Sequence, residues 1–215
     1  MTVEYINPLL YKKALKIIDK IYKESMYNEN IDLFRIKDLI DSISDGQIEC
    51  KTWAVEKLKP FIADEYNACL IIGGWYGLMS HLLSESGFKK QIINYELDKF
   101  CNNMANRLRV HENVQFMDED GLEIFHDVKT NSNVKIVICT ACEHIDQSEI
   151  DFSFKLKKPN MLMCLQSNNY FDVDSHINCK KSLEEFVDSV PLNKILYAGK
   201  RNINDEYERY MVIGK

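Results

Sequence analysis

The feature that most constrains the fold is a short apolar run that ends in glycines, at residues 67–80 (NACLIIGGWYGLMS). Residues 69–72 have the length of a buried strand and are far too few to cross a bilayer. Gly73, Gly74 and Gly77 follow, and then a segment typical of a helix begins. A strand that turns through glycines into a helix can cradle a cofactor, because glycines let the backbone approach the ligand and the helix start offers free N–H groups. A tight turn that binds nothing is the alternative.

Strands and helices alternate along the chain after residue 68. The apolar runs are continuous, which predicts a parallel sheet covered on both faces. A short polar turn between the last two strands predicts that they are antiparallel to each other. The predicted strands are residues 68–73, 91–96, 114–117, 134–140, 160–166, 194–198 and 208–213, and the predicted helices among them are residues 77–86, 98–108 and 180–188.

The first part of the chain shows helical periodicity without strands. Apolar residues recur at helical spacing in residues 7–26, 31–43 and 51–62, and the Asp45-Gly46 pair is predicted to end the second helix as a turn. We therefore expect an N-terminal helical cap or lid over residues 1–50, followed by a domain over residues 51–215.

The charge and the cysteines limit the class of function. The chain carries 27 basic and 33 acidic residues, a net charge of −6, which argues against a dedicated nucleic-acid binder. The seven cysteines are scattered, and the start of the chain does not resemble a secretory signal, so we expect free thiols in the cytoplasm. The expected partner is a small-molecule substrate, with neither nucleic acid nor membrane. A homodimer is left open as the oligomeric state.

Acidic side chains follow the second and third predicted strands. Glu96 lies nineteen positions beyond Gly77 and could accept hydrogen bonds from both ribose hydroxyls of an adenosine bound on the glycine turn, by which we mean residues 73–77. Asp120 could reach an adenine amino group. Helix capping is the competing role, more for Asp98 than for Glu96, and equally for Asp120. The glycine turn and the two acids at consecutive strand ends together predict a nucleoside site.

Polar side chains also follow the fourth and fifth predicted strands. We define the polar rim as Glu143, His144, Asn168 and Tyr170. A carboxylate and an imidazole can orient a substrate and take its proton, and an amide both donates and accepts hydrogen bonds. Ordinary loop and turn residues are the competing interpretation. His176 lies in the loop that follows the rim.

The cysteines near the fourth strand do not form a recognisable metal motif. Cys139 and Cys142 have C-x-x-C spacing, but a zinc site needs two further ligands. The candidates are His144, Cys164 and Cys179, and none belongs to a second paired motif. We therefore expect no metal, and we expect the Cys139 thiol to be a buried core residue.

The order of motifs resembles a known fold family. LIIGGWYG, INYELD, FMDEDGLEIF and IVICTACEHI resemble class I S-adenosylmethionine-dependent methyltransferases over residues 50–215, and GGWYG, CEH and LQSNNYF are similar to small phage-type methyltransferase-like proteins. The resemblance implies an α/β, Rossmann-like, seven-stranded mixed sheet, parallel except at the C-terminal hairpin, and S-adenosylmethionine as the cofactor. By the resemblance, Gly73, Gly74 and Gly77 form the cofactor loop, Glu96 holds the ribose and Asp120 faces adenine. We also expect cofactor contacts from Trp75, Tyr76 and Cys142, and the second substrate at the polar rim.

Two positions depart from the family pattern. Trp75 stands where a glycine is usual, and Ile71 stands where the first strand usually carries an acid that binds the methionine ammonium group. We expect methyl transfer to a small molecule. The departures leave open an enzyme that uses the aminobutyryl arm of the cofactor, and a protein that binds the cofactor without reaction. A dinucleotide oxidoreductase is disfavoured because residues 73–77 lack G-x-G-x-x-G spacing.

Overall fold

The protein is built around one seven-stranded sheet. The computed structural model describes residues 33–126, 134–203, 205 and 207–215, together with helical residues 12, 13, 15, 16, 18, 19 and 23. The strand order across the sheet is β3-β2-β1-β4-β5-β7-β6. The strands are β1 (Ala68–Ile72), β2 (Gln91–Tyr95), β3 (Val114–Met117), β4 (Ile136–Cys139), β5 (Leu162–Asn168), β6 (Ile195–Ile203) and β7 (Tyr207–Gly214).

Six helices accompany the sheet in the described part of the chain. They are α1 (Leu33–Asp41), α2 (Asp45–Leu58), α3 (Leu78–Glu85), α4 (Lys99–Leu108), α5 (Gln147–Lys155) and α6 (Leu183–Ser189). Short 3₁₀ turns lie at Lys59–Phe61, Glu123–Phe125 and Cys142–His144. None of these described helices combines the length and the apolar character needed to span a bilayer.

The register of the parallel strands aligns their carboxyl ends. Ile72 at the end of β1 pairs with Tyr95 of β2 and with Cys139 of β4, and Tyr95 pairs with Met117 of β3. The residues that follow these four strands therefore emerge at one edge of the sheet. β7 runs antiparallel between β5 and β6. The mixed seven-stranded sheet with an antiparallel C-terminal hairpin is thus confirmed.

The two faces of the sheet form separate hydrophobic cores because side chains alternate along each strand. Cys69 and Ile71 of β1 point to the face covered by α2, α3 and α4, where Trp53 of α2 is among the buried side chains. Leu70 and Ile72 point to the opposite face, which α5 and α6 cover. β1 is buried along its whole length, as its continuous apolar run predicts.

The N-terminal helices differ in detail from the sequence prediction. The Asp45-Gly46 pair does not end a helix, because it forms the first turn of α2, and the chain bends at residues 42–44 instead. Ser44 has the extended backbone of an N-cap residue. α2 crosses the proposed boundary at residue 50, so the division into 1–50 and 51–215 stays a prediction. The predicted helix over 7–26 lies largely outside the described residues.

The sequence analysis missed one helix, α5, between β4 and β5. Asp146 caps it by accepting a hydrogen bond from the Ser148 backbone N–H at 2.8 Å. Ile150 and Phe154 are buried against the sheet, four positions apart on one helical face. The helix covers β4 and β5, as a connection between parallel neighbours requires.

Candidate functional site

A large cleft opens at the aligned carboxyl ends of the strands. Its volume is about 1020 Å³, at the upper end of the range of about 300–1,000 Å³ for ligand sites. This is where open α/β sheets bind ligands. Both groups of predicted residues contribute to its wall, which includes Gly73, Trp75, Glu96, Asp98, Asp120, Glu143, His144, Asn168 and Tyr170.

The glycine turn forms one side of the cleft and needs its glycines. Gly73 and Gly77 have φ of +62° and +83°, a region that side chains disfavour. A Cβ on Gly74 would lie 1.9 Å from Asn94 Oδ1. The Gly74 N–H donates to the Tyr95 carbonyl at 3.0 Å, which fastens the turn to β2. Trp75 also has positive φ, +51°, so this turn holds a strained residue where the family pattern has glycine.

Glu96 lies beside the glycine turn, as predicted. Its Oε2 accepts a hydrogen bond from the Trp75 backbone N–H at 2.8 Å, and its Oε1 accepts one from the Asp98 N–H at 2.9 Å. Asp98 is the N-cap of α4 and accepts from the Phe100 N–H at 2.8 Å, so the capping role considered for Asp98 is confirmed. The Glu96 carboxylate is thus held at the edge of the cleft with a defined orientation.

Asp120 lines the cleft, and its hydrogen bonds also stabilise the turn in which it lies. Its Oδ1 accepts from the Leu122 N–H at 2.9 Å, and its backbone carbonyl accepts from the Glu123 N–H at 3.2 Å. The N-cap of the following 3₁₀ turn is Leu122, so the capping role considered for Asp120 is not observed, and its contact with adenine stays a prediction. The neighbouring Gly121 fits tightly, because a Cβ there would lie 2.9 Å from the Tyr95 side chain.

Sequence reasoning missed Asp38 of α1, which joins that helix to the glycine turn. Its Oδ2 accepts hydrogen bonds from Tyr76 Oη at 3.0 Å and from Trp75 Nε1 at 3.3 Å. Tyr76 is buried, and burial with the nearby Cys101 and Asp38 raises its pKa. Trp75 lines the cleft, whereas the Tyr76 ring packs into the core. No local motif in α1 signals this contact.

The polar rim consists of a buried pair, Glu143 and Asn168, and an outer pair, the exposed His144 and the half-buried Tyr170. Glu143 and Asn168 are buried, at 3% and 1% exposure. Glu143 Oε1 accepts from Asn168 Nδ2 at 2.9 Å and is ion-paired with Arg209 of β7, which also donates to the Thr140 carbonyl. Burial is the largest single influence on Arg209 and opposes its charge, but Glu143, Cys50 and Tyr207 together outweigh it, so the pKa of Arg209 is raised. Sequence reasoning missed Arg209, which lies 66 positions from Glu143.

His176 links the outer pair of the rim, His144 and Tyr170. His144 Nδ1 lies 3.0 Å from the Ser175 carbonyl oxygen, and His176 Nδ1 lies 2.7 Å from the Tyr170 carbonyl oxygen. The two imidazole rings meet edge to face with centroids 4.7 Å apart. Tyr170 stacks on Tyr207 at 5.3 Å. Desolvation lowers the pKa of His144, although Glu143 acts in the opposite direction.

Lys51 of α2 is another cation in the cleft wall that the sequence analysis did not single out. Its side chain is nearly buried, at 6% exposure, and Nζ donates to Gln47 Oε1. Burial, with a smaller contribution from Arg209, lowers its pKa to about 8. Lys51 is four and seven positions before Val55 and Leu58, so helical periodicity places it on their buried face, a signal that the sequence analysis did not use.

The cysteines near β4 lie beneath the cleft instead of on its wall. Cys142 is 1% exposed, and its Sγ approaches the Cys139 carbonyl oxygen at 3.7 Å. The thiol therefore points into the core and not into the cleft. This geometry does not support the expected contact of Cys142 with the cofactor. Cys139 is fully buried in β4, as expected.

The fold is shared with solved methyltransferases at low sequence identity. An O-methyltransferase from Bacillus cereus in complex with SAH superposes with a TM-score of 0.59 at 12% identity over 100% of this chain and 94% of that one. A SAM-dependent methyltransferase from Anabaena variabilis gives 0.57 at 14% identity, over 80% and 95%. One from Agrobacterium tumefaciens gives 0.54 at 11%, where this chain covers 63% of the other. No protein-family model and no curated protein sequence matches the chain. The comparisons therefore show the methyltransferase-type Rossmann-like fold.

Proposed function

We propose that this protein binds S-adenosylmethionine and transfers its methyl group to a small molecule. The observation that carries the proposal is the Glu96 carboxylate, fixed by the Trp75 and Asp98 N–H groups at the end of β2, beside the glycine turn. A carboxylate in this place can accept both ribose hydroxyls of an adenosine. The fold neighbour from Bacillus cereus, solved with SAH, supports the choice of cofactor.

The methionine end of the cofactor needs partners outside β1. Ile71 is fully buried on the face opposite the Leu70 and Ile72 side chains, so it offers the cleft nothing. The cleft wall carries both signs of charge near the rim, with Lys51 and Arg209 beside carboxylates such as Glu143. A zwitterionic group with an ammonium and a carboxylate suits such a surface.

The charge of the cleft favours a small acceptor over a nucleic acid. Its wall carries more carboxylates than cations: Arg35 and Lys37 pair with Asp98 and Asp41, while Asp38, Glu96 and Asp120 add negative charge that would repel a phosphate backbone. The volume of about 1020 Å³ leaves room for a second small substrate beside a cofactor. Methyl transfer asks the protein mainly to align the acceptor, with a base where the acceptor is protonated. The outer rim residues His144 and Tyr170 are the proposed aligning groups.

Use of the aminobutyryl arm is the second candidate reaction. It is favoured by Trp75, whose strained backbone and large ring reshape the turn where the family pattern has glycine. Methyl transfer and use of the arm give different products from the same cofactor, so they are distinguished directly.

Calorimetry and product analysis test the proposal. The full chain should bind S-adenosylmethionine and S-adenosylhomocysteine, and it should bind them more tightly than NAD. Incubation with S-adenosylmethionine and a panel of small phenols, amines and thiols should then yield S-adenosylhomocysteine. Methylthioadenosine would show use of the arm. Binding with unchanged cofactor across the panel would favour a binding protein, and an absence of binding heat would reject the proposed cofactor.

A further inference from the structure

We propose that Glu143, His144 and His176 bind a divalent transition-metal ion in the wall of the cleft. One ligand atom from each of the three residues lies within 4.8 Å of the others. The three come from two loops at the carboxyl edge of the sheet, because His176 follows β5 while Glu143 and His144 follow β4. This juxtaposition arises from the fold and has no continuous sequence motif.

Both imidazoles are held in the tautomer that a metal requires. A backbone carbonyl oxygen can only accept a hydrogen bond, so the Nδ1 atoms facing Ser175 O and Tyr170 O at 3.0 and 2.7 Å must be the donors in the neutral rings. Each Nε2 then carries the free lone pair. Metal-binding histidines are characteristically oriented by such a hydrogen bond from the other ring nitrogen to a carbonyl or carboxylate.

The carboxylate supplies an independent indication of a missing ligand. Glu143 is 3% exposed, and its Oε2 has no hydrogen-bond partner within the described part of the chain. A buried carboxylate oxygen without a partner is costly. Asn168 and Arg209 bind the other oxygen, Oε1, and so fix the orientation of the group. A cation at Oε2 would satisfy this orphaned oxygen while Oε1 keeps its two partners.

The donor set indicates the kind of metal and what it could do. Two imidazoles and one carboxylate suit Zn²⁺, Mn²⁺ or Fe²⁺, and they do not suit Ca²⁺, which takes oxygen ligands only. Three protein ligands leave coordination positions open toward the cleft, as in catalytic sites. A substrate oxygen or nitrogen bound there would be polarised and fixed in position. The expectation of no metal from the sequence considered cysteine ligands, and this site uses none of the cysteines.

The metal alone is the probe for the test. The full chain, without an affinity tag, is stripped with a chelator and titrated with ZnCl₂ and with MnCl₂ by calorimetry, in the absence of S-adenosylmethionine. We expect saturable binding of one equivalent. Loss of an outer-shell partner already costs about 10–100-fold in metal affinity, so His176→Ala and His144→Ala should each weaken binding on the order of a hundredfold or more. Co²⁺ should show a coordination spectrum in the wild type that both variants lose.

His126→Ala is the matched control, because His126 is an exposed histidine that lies against Phe152 and away from the cleft. It should bind metal as the wild type does. Absence of saturable binding, or equal affinity in all four proteins, would overturn the metal site. Thermal unfolding in chelator shows whether the variants remain folded. The metal would serve the proposed reaction, but S-adenosylmethionine binding is measured separately in chelator, so the failure of either proposal is recognised without the other.

Discussion

The two sides of the cleft are built in different ways. The glycine turn with Glu96 is organised by backbone groups, because the Gly74 N–H binds the Tyr95 carbonyl and the Glu96 carboxylate binds two further N–H groups. The rim is organised by buried side chains, with Glu143 held by Asn168 and Arg209. We expect the first side, which is held by backbone hydrogen bonds, to bind a ligand of fixed shape. On the second side, the energetic contribution of the charged groups depends on what occupies the cleft.

This contrast separates the expected effects of substitutions. Changes on the backbone-built side should alter cofactor affinity with modest effects on stability. Changes to the buried part of the rim should alter stability itself, because removing one partner leaves a charge in the core. Changes to the outer pair of the rim, His144 and Tyr170, should alter turnover and metal binding with little effect on stability or cofactor affinity.

The largest effect is expected on folding stability when Arg209 is removed. Arg209→Met should lower the free energy of unfolding by about 3–5 kcal/mol, because it leaves Glu143 buried without its ion pair. Urea denaturation measures the change. The double variant Arg209→Met/Glu143→Gln should recover part of the loss. A cost below about 1 kcal/mol, the usual value of an exposed ion pair, would contradict the buried network.

The outer pair of the rim, His144 and Tyr170, should affect turnover and leave stability intact. His144→Ala and Tyr170→Phe should each reduce product formation by about 10–100-fold, the first because it removes a ligand of the proposed metal ion and the second because it removes an aligning hydroxyl. The affinity for S-adenosylmethionine should stay close to the wild-type value, because both residues lie beyond β4 and β5 and away from Glu96. His126→Ala serves again as the control. Wild-type turnover in both variants would show that His144 and Tyr170 take no part in the reaction.

Glu96 should determine cofactor affinity. Glu96→Ala should lose charge-assisted hydrogen bonds of roughly 1.5–3 kcal/mol, which is about ten- to a hundredfold in affinity. Glu96→Gln should lose less, because its amide oxygen still accepts from a backbone N–H. Calorimetry with S-adenosylmethionine measures both. Unchanged affinity in a folded Glu96→Ala protein would show that the ribose is bound elsewhere.

Lys51 should give the protein a pH dependence of stability. Its native pKa of about 8 lies below the ordinary 10.5, so the unfolded chain binds more protons between those values. Stability should therefore rise with pH from about 8 to about 10.5, and the cost of burying the charge should be fully present below pH 8. Denaturation of wild type and Lys51→Met over this range isolates the contribution. Parallel pH curves for the two proteins would contradict the burial.

The sequence predicted the sheet because the relevant signals are local. Apolar runs and the glycines after β1 are contiguous in the chain, and Glu96 follows the end of its strand directly. The sequence predicted that the rim residues follow β4 and β5, but it did not predict that Glu143 and Asn168 are buried. The burial of Glu143 depends on Arg209, which reaches it through an antiparallel strand inserted at the far side of β5. Such pairing is set by tertiary packing, and no pattern around either residue encodes it.

α5 and Asp38 were missed for related physical reasons. The α5 segment is short and its apolar positions are few, so its helix depends on the Asp146 cap and on packing against the sheet more than on intrinsic propensity. Asp38 looks like an ordinary acid on the wet face of a helix. Its role appears only when α1 lies against the turn, where its carboxylate meets two aromatic side chains.

The position of Trp75 gives the protein an intrinsic optical reporter. The chain has two tryptophans. Trp53 is enclosed in the core at 1% exposure, while the Trp75 indole stands in the cleft wall with its N–H against the Asp38 carboxylate. Indole emission responds to such polar surroundings, so a Trp53→Phe protein would carry a single fluorophore at the cleft. Its emission would follow the arrival of a ligand on the millisecond scale, with no dye attached and no product formed.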